Sequence, residues 1–123
     1  MTETQAIKRR ILVVDDEPRV LRFIEIGLRN RGFEVMTTGS GEAALALIEQ
    51  AEPDVILLDI VMPGLDGLEV LRRVRATRKL PVITFSANLE NRHKALSLGA
   101  NNFVSKPFDS DKMALMIRDL LNN

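Results

Sequence analysis

Asp15-Asp16, Asp59, Ser86 and Lys106 each close a short apolar run, and together they supply the groups that phosphoryl transfer needs. Like charges ~4 Å apart at an effective dielectric of ~20 repel by about 4 kcal/mol, so three carboxylates brought together call for a cation. With no cysteine and a single histidine, His93, the ligands available are hard oxygens, which suit Mg²⁺ or Mn²⁺. In such a site Asp59 would be the nucleophile and form an acyl phosphate. Asp15 and Asp16 would hold the metal, Lys106 would pair with one phosphate oxygen and Ser86 would hydrogen-bond another. Taken singly, each has a plainer role. Asp59 caps a turn at a strand end, Ser86 caps a helix or turn, and Lys106 is an ordinary surface lysine.

The groups meet only if the chain between them brings them to one edge. Val55-Ile56-Leu57-Leu58 is apolar without alternation and ends on Asp59 shortly before Met62-Pro63-Gly64. That is the pattern of a strand buried on both faces of a parallel sheet. Ile11-Leu12-Val13-Val14 repeats it and ends on Asp15-Asp16-Glu17-Pro18; Pro81 to Phe85 ends on Ser86; Asn102-Phe103-Val104-Ser105 ends on Lys106-Pro107; Phe33 to Thr38 is a further β-prone segment.

Helical patterns fill the gaps. Pro18 suits a first turn, Val20, Leu21, Ile24 and Leu28 recur at helical spacing, and Gly32 is a left-handed stop. Gly39-Ser40-Gly41 leads into a helix with Ala44, Leu45 and Ile48 as its stripe. Asp66 and Glu69 read as a capping box before Leu68, Leu71 and Val74. Ser86-Ala87-Asn88 can cap a helix running to Leu98 and stopping at Gly99, and Asp109 or Ser110 caps a last one with Met113, Met116, Ile117 and Leu120 inward. Arg72, Arg73, Arg75, Arg78 and Lys79 cluster at the end of the third helix. They read either as a docking patch or, the reading we prefer, as favourable cations on a solvated helix end.

Strand and helix thus alternate throughout with short connections. The fold expected is α/β, a doubly wound five-stranded parallel sheet of order 2-1-3-4-5 with helices on both faces in three layers. Its switch point lies between strands 1 and 3, which end in Asp15, Asp16 and Asp59. A chain of 123 residues is one domain's worth, expected over residues 10–123 behind a loose tail of residues 1–9. The 17 basic and 17 acidic side chains balance, leaving no electrostatic footprint for nucleic acid or an anionic membrane. No run approaches the ~18 apolar residues of a membrane span, and the polar start lacks a signal-peptide core. A cytoplasmic protein is expected.

At this point the residues match a known family. Over about residues 10–121 the chain resembles the receiver domain of bacterial two-component response regulators, of the chemotaxis-regulator, flavodoxin-like type. The resemblance rests on Val14-Asp15-Asp16-Glu17-Pro18, on Leu58 to Gly64 followed by Asp66-Gly67, on Pro81-Val82-Ile83 with Ser86-Ala87, and on Gly99-Ala100 with Phe103 to Phe108. It implies a phosphorylation-dependent signalling switch rather than an ordinary enzyme, with Asp59 as phosphoacceptor. It further implies that Asp16, Asp59 and the backbone carbonyl of Val61 ligate Mg²⁺, with Asp15 reaching the ion largely through water. Lys106 would pair with the phosphate, and its bond to Pro107 would be cis. Ser86 and Phe103 stand at the switch positions, where Ser86 moves toward the phosphate and Phe103 fills the space it leaves. The partners implied are a sensor histidine kinase or histidine phosphotransfer protein, docking near Arg19, Val20, Arg22 and Ile24. An output protein or domain would meet the fourth helix, fifth strand and fifth helix, where a phosphorylation-dependent homodimer could also form. The ending at Asn123 fits a stand-alone receiver or one cut from a longer regulator.

Val61, two residues after Asp59, and Asn88, two after Ser86, stand where the family sets acyl-phosphate lifetime. Val61 offers no polar side-chain group to position water, so slow self-dephosphorylation is expected. His93 reads as a surface imidazole. Two other readings share parts of this pattern. A small Mg²⁺-dependent phosphatase of the dehalogenase-like type also uses an Asp nucleophile, but it carries Asp-x-Asp where this chain has Asp15-Asp16-Glu17. A flavodoxin needs a Ser/Thr/Gly-rich loop where this chain is acidic. A binding-only receiver is opposed by the full acidic set with Lys106.

Overall fold

The computed structural model describes residues 8–122. Most of the tail proposed for residues 1–9 therefore lies outside the described residues; Lys8 and Arg9 are exposed ahead of the first strand. Five strands alternate with five helices: β1 (Arg10–Val14), α1 (Pro18–Arg29), β2 (Glu34–Thr38), α2 (Gly41–Ala51), β3 (Val55–Asp59), α3 (Gly67–Thr77), β4 (Val82–Ser86), α4 (Asn91–Ser97), β5 (Asn102–Ser105) and α5 (Ser110–Leu121). The sheet is parallel throughout, with strand order β2-β1-β3-β4-β5.

The unbroken apolar runs are explained by burial on both sides. Ile11, Val13, Leu57, Ile83 and Phe85 face Ile24 and Leu28 of α1 and Met113, Ala114 and Ile117 of α5. Their neighbours Leu12, Val14, Ile56, Leu58 and Val82 face Ala44 and Ile48 of α2 and Val70, Leu71 and Val74 of α3. Successive strand residues point to opposite faces, so a strand covered on both faces has no polar phase. Each such side chain, fully buried, contributes about 1.5–3 kcal/mol from apolar transfer. The third cluster, Ile60, Ala95 and Phe103, is smaller and beds α4.

Helix starts follow the expected caps with two corrections. Of the two candidates at the last helix Asp109 is the cap, its Oδ1 accepting from Lys112 N at 2.7 Å, and Ser40, which the sequence did not single out, caps α2 with its Oγ accepting from Ala43 N at 3.1 Å. Asp66 Oδ1 accepts from Glu69 N at 3.0 Å, but the Glu69 carboxylate turns to Arg72 and Arg73 instead of completing the box. The second correction concerns α4, which begins at Asn91, not directly after Ser86-Ala87-Asn88. Asn88 Oδ1 accepts from Glu90 N at 2.9 Å and its carbonyl from Asn91 N at 3.2 Å. This local turn outcompetes the helix, as short polar side chains do. α1 is regular to Arg29, then loosens into a turn closed by Gly32, at φ +92°, and by the Phe33 N–H donating to Leu28 O.

The basic cluster of α3 is dispersed, which favours the solvated-end reading. Arg72 and Arg73 share Glu69 and Arg78 lies 3.8 Å from Glu49. Arg75 instead works inward: Nε donates to Gly99 O at 2.9 Å, Nη1 to Leu80 O at 2.7 Å and Nη2 to Asn101 Oδ1 at 2.8 Å. Asn101 Oδ1 in turn accepts from Val82 N at 2.9 Å. One guanidinium thus ties α3 to the entry of β4 and to the turn between α4 and β5. Arg75→Ala is expected to cost about 2–3 kcal/mol in urea unfolding, whereas Arg72→Ala, at a solvated ion pair, should leave the urea midpoint nearly unmoved. Equal costs would show that Arg75 is merely another surface cation.

Candidate functional site

Parallel pairing sets the carboxyl ends of the strands on one edge, and four of them carry the residues singled out in the sequence. Asp15 follows β1, Asp59 ends β3, Ser86 ends β4 and Lys106 follows β5. Asp15 and Asp59 are 0% and 3% exposed, and Asp16 beside them is exposed. Carboxylate oxygens of Asp15, Asp16 and Asp59 lie within 4.8 Å of one another. Lys106 Nζ donates to Asp15 Oδ2 at 3.0 Å and to Asp59 Oδ2 at 3.4 Å. The second oxygens accept backbone bonds, from Glu17 N at 2.8 Å on Asp15 and from Val61 N at 3.3 Å on Asp59.

Lys106 is aimed by its surroundings. Its N–H donates to Ser86 O at 2.9 Å, the Lys106–Pro107 bond is cis, and Nζ stands 5.2 Å from the centre of the Phe85 ring, which Phe108 braces edge-on. Gly67 serves the same edge. Its N–H donates to Ile60 O at 2.9 Å, and a Cβ there would collide with the Asp59 carbonyl. Only glycine lets α3 start this close to the end of β3. Gly67→Ala is expected to cost about 1–3 kcal/mol by overpacking, read from the urea midpoint; an unshifted midpoint would mean that the junction yields freely.

The charges do not balance. Burial, reinforced by the Asp15 carboxylate and only partly offset by Lys106, pushes the Asp59 carboxyl up from 3.8 to about 6. Burial pulls the Lys106 ammonium down, but bonds and attraction from Asp15 and Asp59 outweigh it and hold the ammonium above its ordinary range. Two buried carboxylates thus share one ammonium, with a third carboxylate at the rim. Three oxygen donors with no nitrogen or sulfur ligand fit a hard divalent ion of the Mg²⁺ kind.

Ser86 and Phe103 stand apart from this cluster. Ser86 is 1% exposed, and its Oγ accepts from Asn88 N at 3.0 Å and from Asn91 Nδ2 at 3.2 Å. Phe103 is 5% exposed against Ile60 and Ala95. It is inside in the conformation in which Ser86 is held by Asn88 and Asn91. Val61 and Leu89, 63% and 65% exposed, flank this edge, and His93 is exposed on α4. Sequence reading missed the Asn91 bond, for which a polar residue at a helix start was the sole signal. It also missed Phe85, hidden inside an apolar run.

The profile of the response regulator receiver domain family matches residues 11–118. The chain belongs to that family. Similar curated proteins include the transcriptional regulatory protein KdpE of Mycobacterium tuberculosis, 39% identical over 110 residues, which are 88% of this chain and 49% of that protein. The DNA-binding response regulator MtrA of Mycolicibacterium smegmatis is 35% identical over 91% of this chain and 50% of its own. The receiver chain thus spans about half the length of the curated relatives it matches. Among solved structures, the receiver domain of NtrX from Brucella abortus superposes with a TM-score of 0.86 at 35% identity, covering 92% of this chain and 98% of that one. The chemotaxis protein CheY4 of Vibrio cholerae superposes at 0.87 with 27% identity, covering 94% and 100%. The receiver is accordingly a two-component signalling module with the flavodoxin-like, CheY-like fold, and receivers of this family generally bind Mg²⁺ at such an acidic cluster. None of its described helices is long and apolar enough to cross a membrane.

Proposed function

We propose that residues 10–123 form a phosphorylation-dependent switch, behind a short tail of residues 1–9, in which Asp59 accepts a phosphoryl group from a sensor histidine kinase or histidine phosphotransfer protein. The observation that carries this is the charge deficit at Asp59: a buried carboxylate at a strand end, beside Asp15, with Lys106 as their one shared ammonium. An Asp59 oxygen attacks phosphorus, the bond from phosphorus to the donor breaks, and the donor leaves with the electron pair. Asp15, Asp16, Asp59 and the Val61 carbonyl would hold Mg²⁺, or Mn²⁺, which when bound neutralises charge on the phosphoryl oxygens. Lys106, already in the pocket, would exchange its carboxylate bonds for one to the phosphoryl group, and Ser86 would donate its hydroxyl proton to another oxygen.

A shallow apolar groove of about 230 Å³ between Arg19, Val20, Phe23 and Ile24 of α1 and Pro107-Phe108 opens beside Lys106. It supports that side as the docking surface for the phosphodonor. The output would be read from the α4, β5 and α5 face, by another domain or protein or by a second copy of the chain; with balanced charge, this domain is not expected to touch nucleic acid itself. We place it in the cytoplasm with its kinase partner.

The test is intact mass after incubation with acetyl phosphate, with and without Mg²⁺, beside Asp59→Ala. A Mg²⁺-dependent gain of about 80 Da that is lost in the variant supports the switch. Donor consumption without an adduct would point to a phosphatase, and neither to a binding-only receiver or to one that takes phosphate only from its kinase.

A further inference from the structure

We infer that Asn91 is a positioning residue for the switch hydroxyl: its side-chain amide latches Ser86 in the resting state, and breaking that latch is what frees the N-terminal end of α4. The inference rests on the reading of Asp59 as phosphoacceptor and goes beyond it in naming what holds the switch off.

Ser86 is buried, and its Oγ receives two donors, Asn88 N at 3.0 Å and Asn91 Nδ2 at 3.2 Å. A hydroxyl has two acceptor sites and one proton, so both lone pairs are occupied and the proton is left for a third partner. Asp59 pairs in register with Phe85, the residue before Ser86, so a phosphoryl group there would offer that partner. Turning toward it stretches both accepted bonds. The Asn88 N–H lies in the same turn and can follow the backbone; the Asn91 amide comes from the first residue of α4 and cannot follow without moving the helix.

The two ends of α4 are held very differently. At its start Glu90 supplies no side-chain cap, and the Asn91–Ser86 bond is the side-chain tie back to β4. Beyond its end, Arg75 fixes Gly99 O at 2.9 Å and Asn101 Oδ1 at 2.8 Å, and Ala100 N donates to Ala95 O at 3.0 Å. Release of Asn91 therefore lets the helix swing about its anchored C-terminal end and reshapes the surface that begins at Asn91.

One net hydrogen bond shifts a two-state population by about two- to tenfold. In Asn91→Ala, and in Asn91→Leu, which keeps the bulk, Asp59 should take up phosphoryl from acetyl phosphate about two- to tenfold faster, because the turned Ser86 is already populated. In a Ser86→Ala background the same substitutions should change nothing, which a merely structural role for Asn91 would not produce. Unchanged uptake in both variants, or the same acceleration without Ser86, overturns the latch. Amide hydrogen exchange on the unmodified protein reads the latch apart from phosphorylation. Backbone amides of Glu90–Lys94 should exchange faster in Asn91→Ala while those of Gly99–Asn101 hold, and equal rates throughout overturn it. No adduct on the wild-type chain from acetyl phosphate or from a phosphorylated histidine donor would instead overturn the phosphoacceptor reading, leaving the exchange comparison to decide the latch.

Discussion

Replacing Asp59 with Asn should abolish phosphoryl uptake and, with divalent ions removed, make the protein more stable at pH 7.5 by about 1–3 kcal/mol. The first half follows from losing the proposed nucleophile; the second follows from the pocket. Burial and then Asp15 raise the Asp59 carboxyl from 3.8 to about 6 in the folded chain. A carboxyl whose folded pKa lies above its unfolded one favours folding only while protonated. Its contribution is complete below about pH 4 and is lost as pH rises through about 6, after which the native state carries a penalty of about 3 kcal/mol. Asn keeps an acceptor for the Val61 N–H and removes the charge, but weakens the tie to Lys106, which accounts for the lower end of the range. Urea unfolding of both proteins in chelator between pH 4 and 7.5 gives the difference curve. It should favour Asn increasingly through pH 4–6, then level off. A variant less stable than wild type at pH 7.5 would mean that Lys106 alone satisfies both carboxylates.

Lys106→Met should do the reverse. It keeps the stem over Phe85 but leaves Asp15 and Asp59 facing each other without a counter-charge. Breaking a buried ion pair from one side costs about 3–5 kcal/mol; because the Lys106 side chain is 21% exposed, about 2–4 kcal/mol is expected here. The loss should be largely recovered by excess Mg²⁺, which binds the folded state alone and so stabilises by mass action. Since an ammonium and a divalent ion answer the same deficit, Mg²⁺ should raise the melting temperature of Lys106→Met more than that of wild type. An equal rise in both would separate the metal from the lysine and sink the shared-deficit account.

What the sequence made legible depended on how many neighbours each feature needed. Ile11 to Val14 and Val55 to Leu58 announced two-sided burial because a covered parallel strand has no polar phase, and those strands ending in carboxylates located the site. The cap at Asp66, and the choice of Asp109 or Ser110 at the last helix, were local and readable. The start of α4 was not, because Asn88 could either cap a helix or close its own turn, and the sequence alone does not say which local bond wins. Arg75 was hidden for a related reason: five cations within eight residues show charge but not direction, and only the approach of Gly99 and Asn101, 24 and 26 residues away, turns one of them inward. Ser86 was legible as a hydroxyl at the right edge; that Asn91 occupies one of its lone pairs was not.

The ion pair between Lys106 and Asp15 joins residues 91 apart in sequence, and this bears on how the molecule is made. A ribosome releases the acidic pair of the first strand and Asp59 of the third long before Lys106 leaves the exit tunnel. Until the last strand docks, the carboxylates lack their lysine, and contacts of such long sequence separation form late and slowly. The cluster of carboxylates and lysine is therefore complete only once the last strand has docked. A truncated or half-folded copy carries the acidic residues but not the assembled cluster, so the Lys106 ion pairs report that the whole sheet has closed.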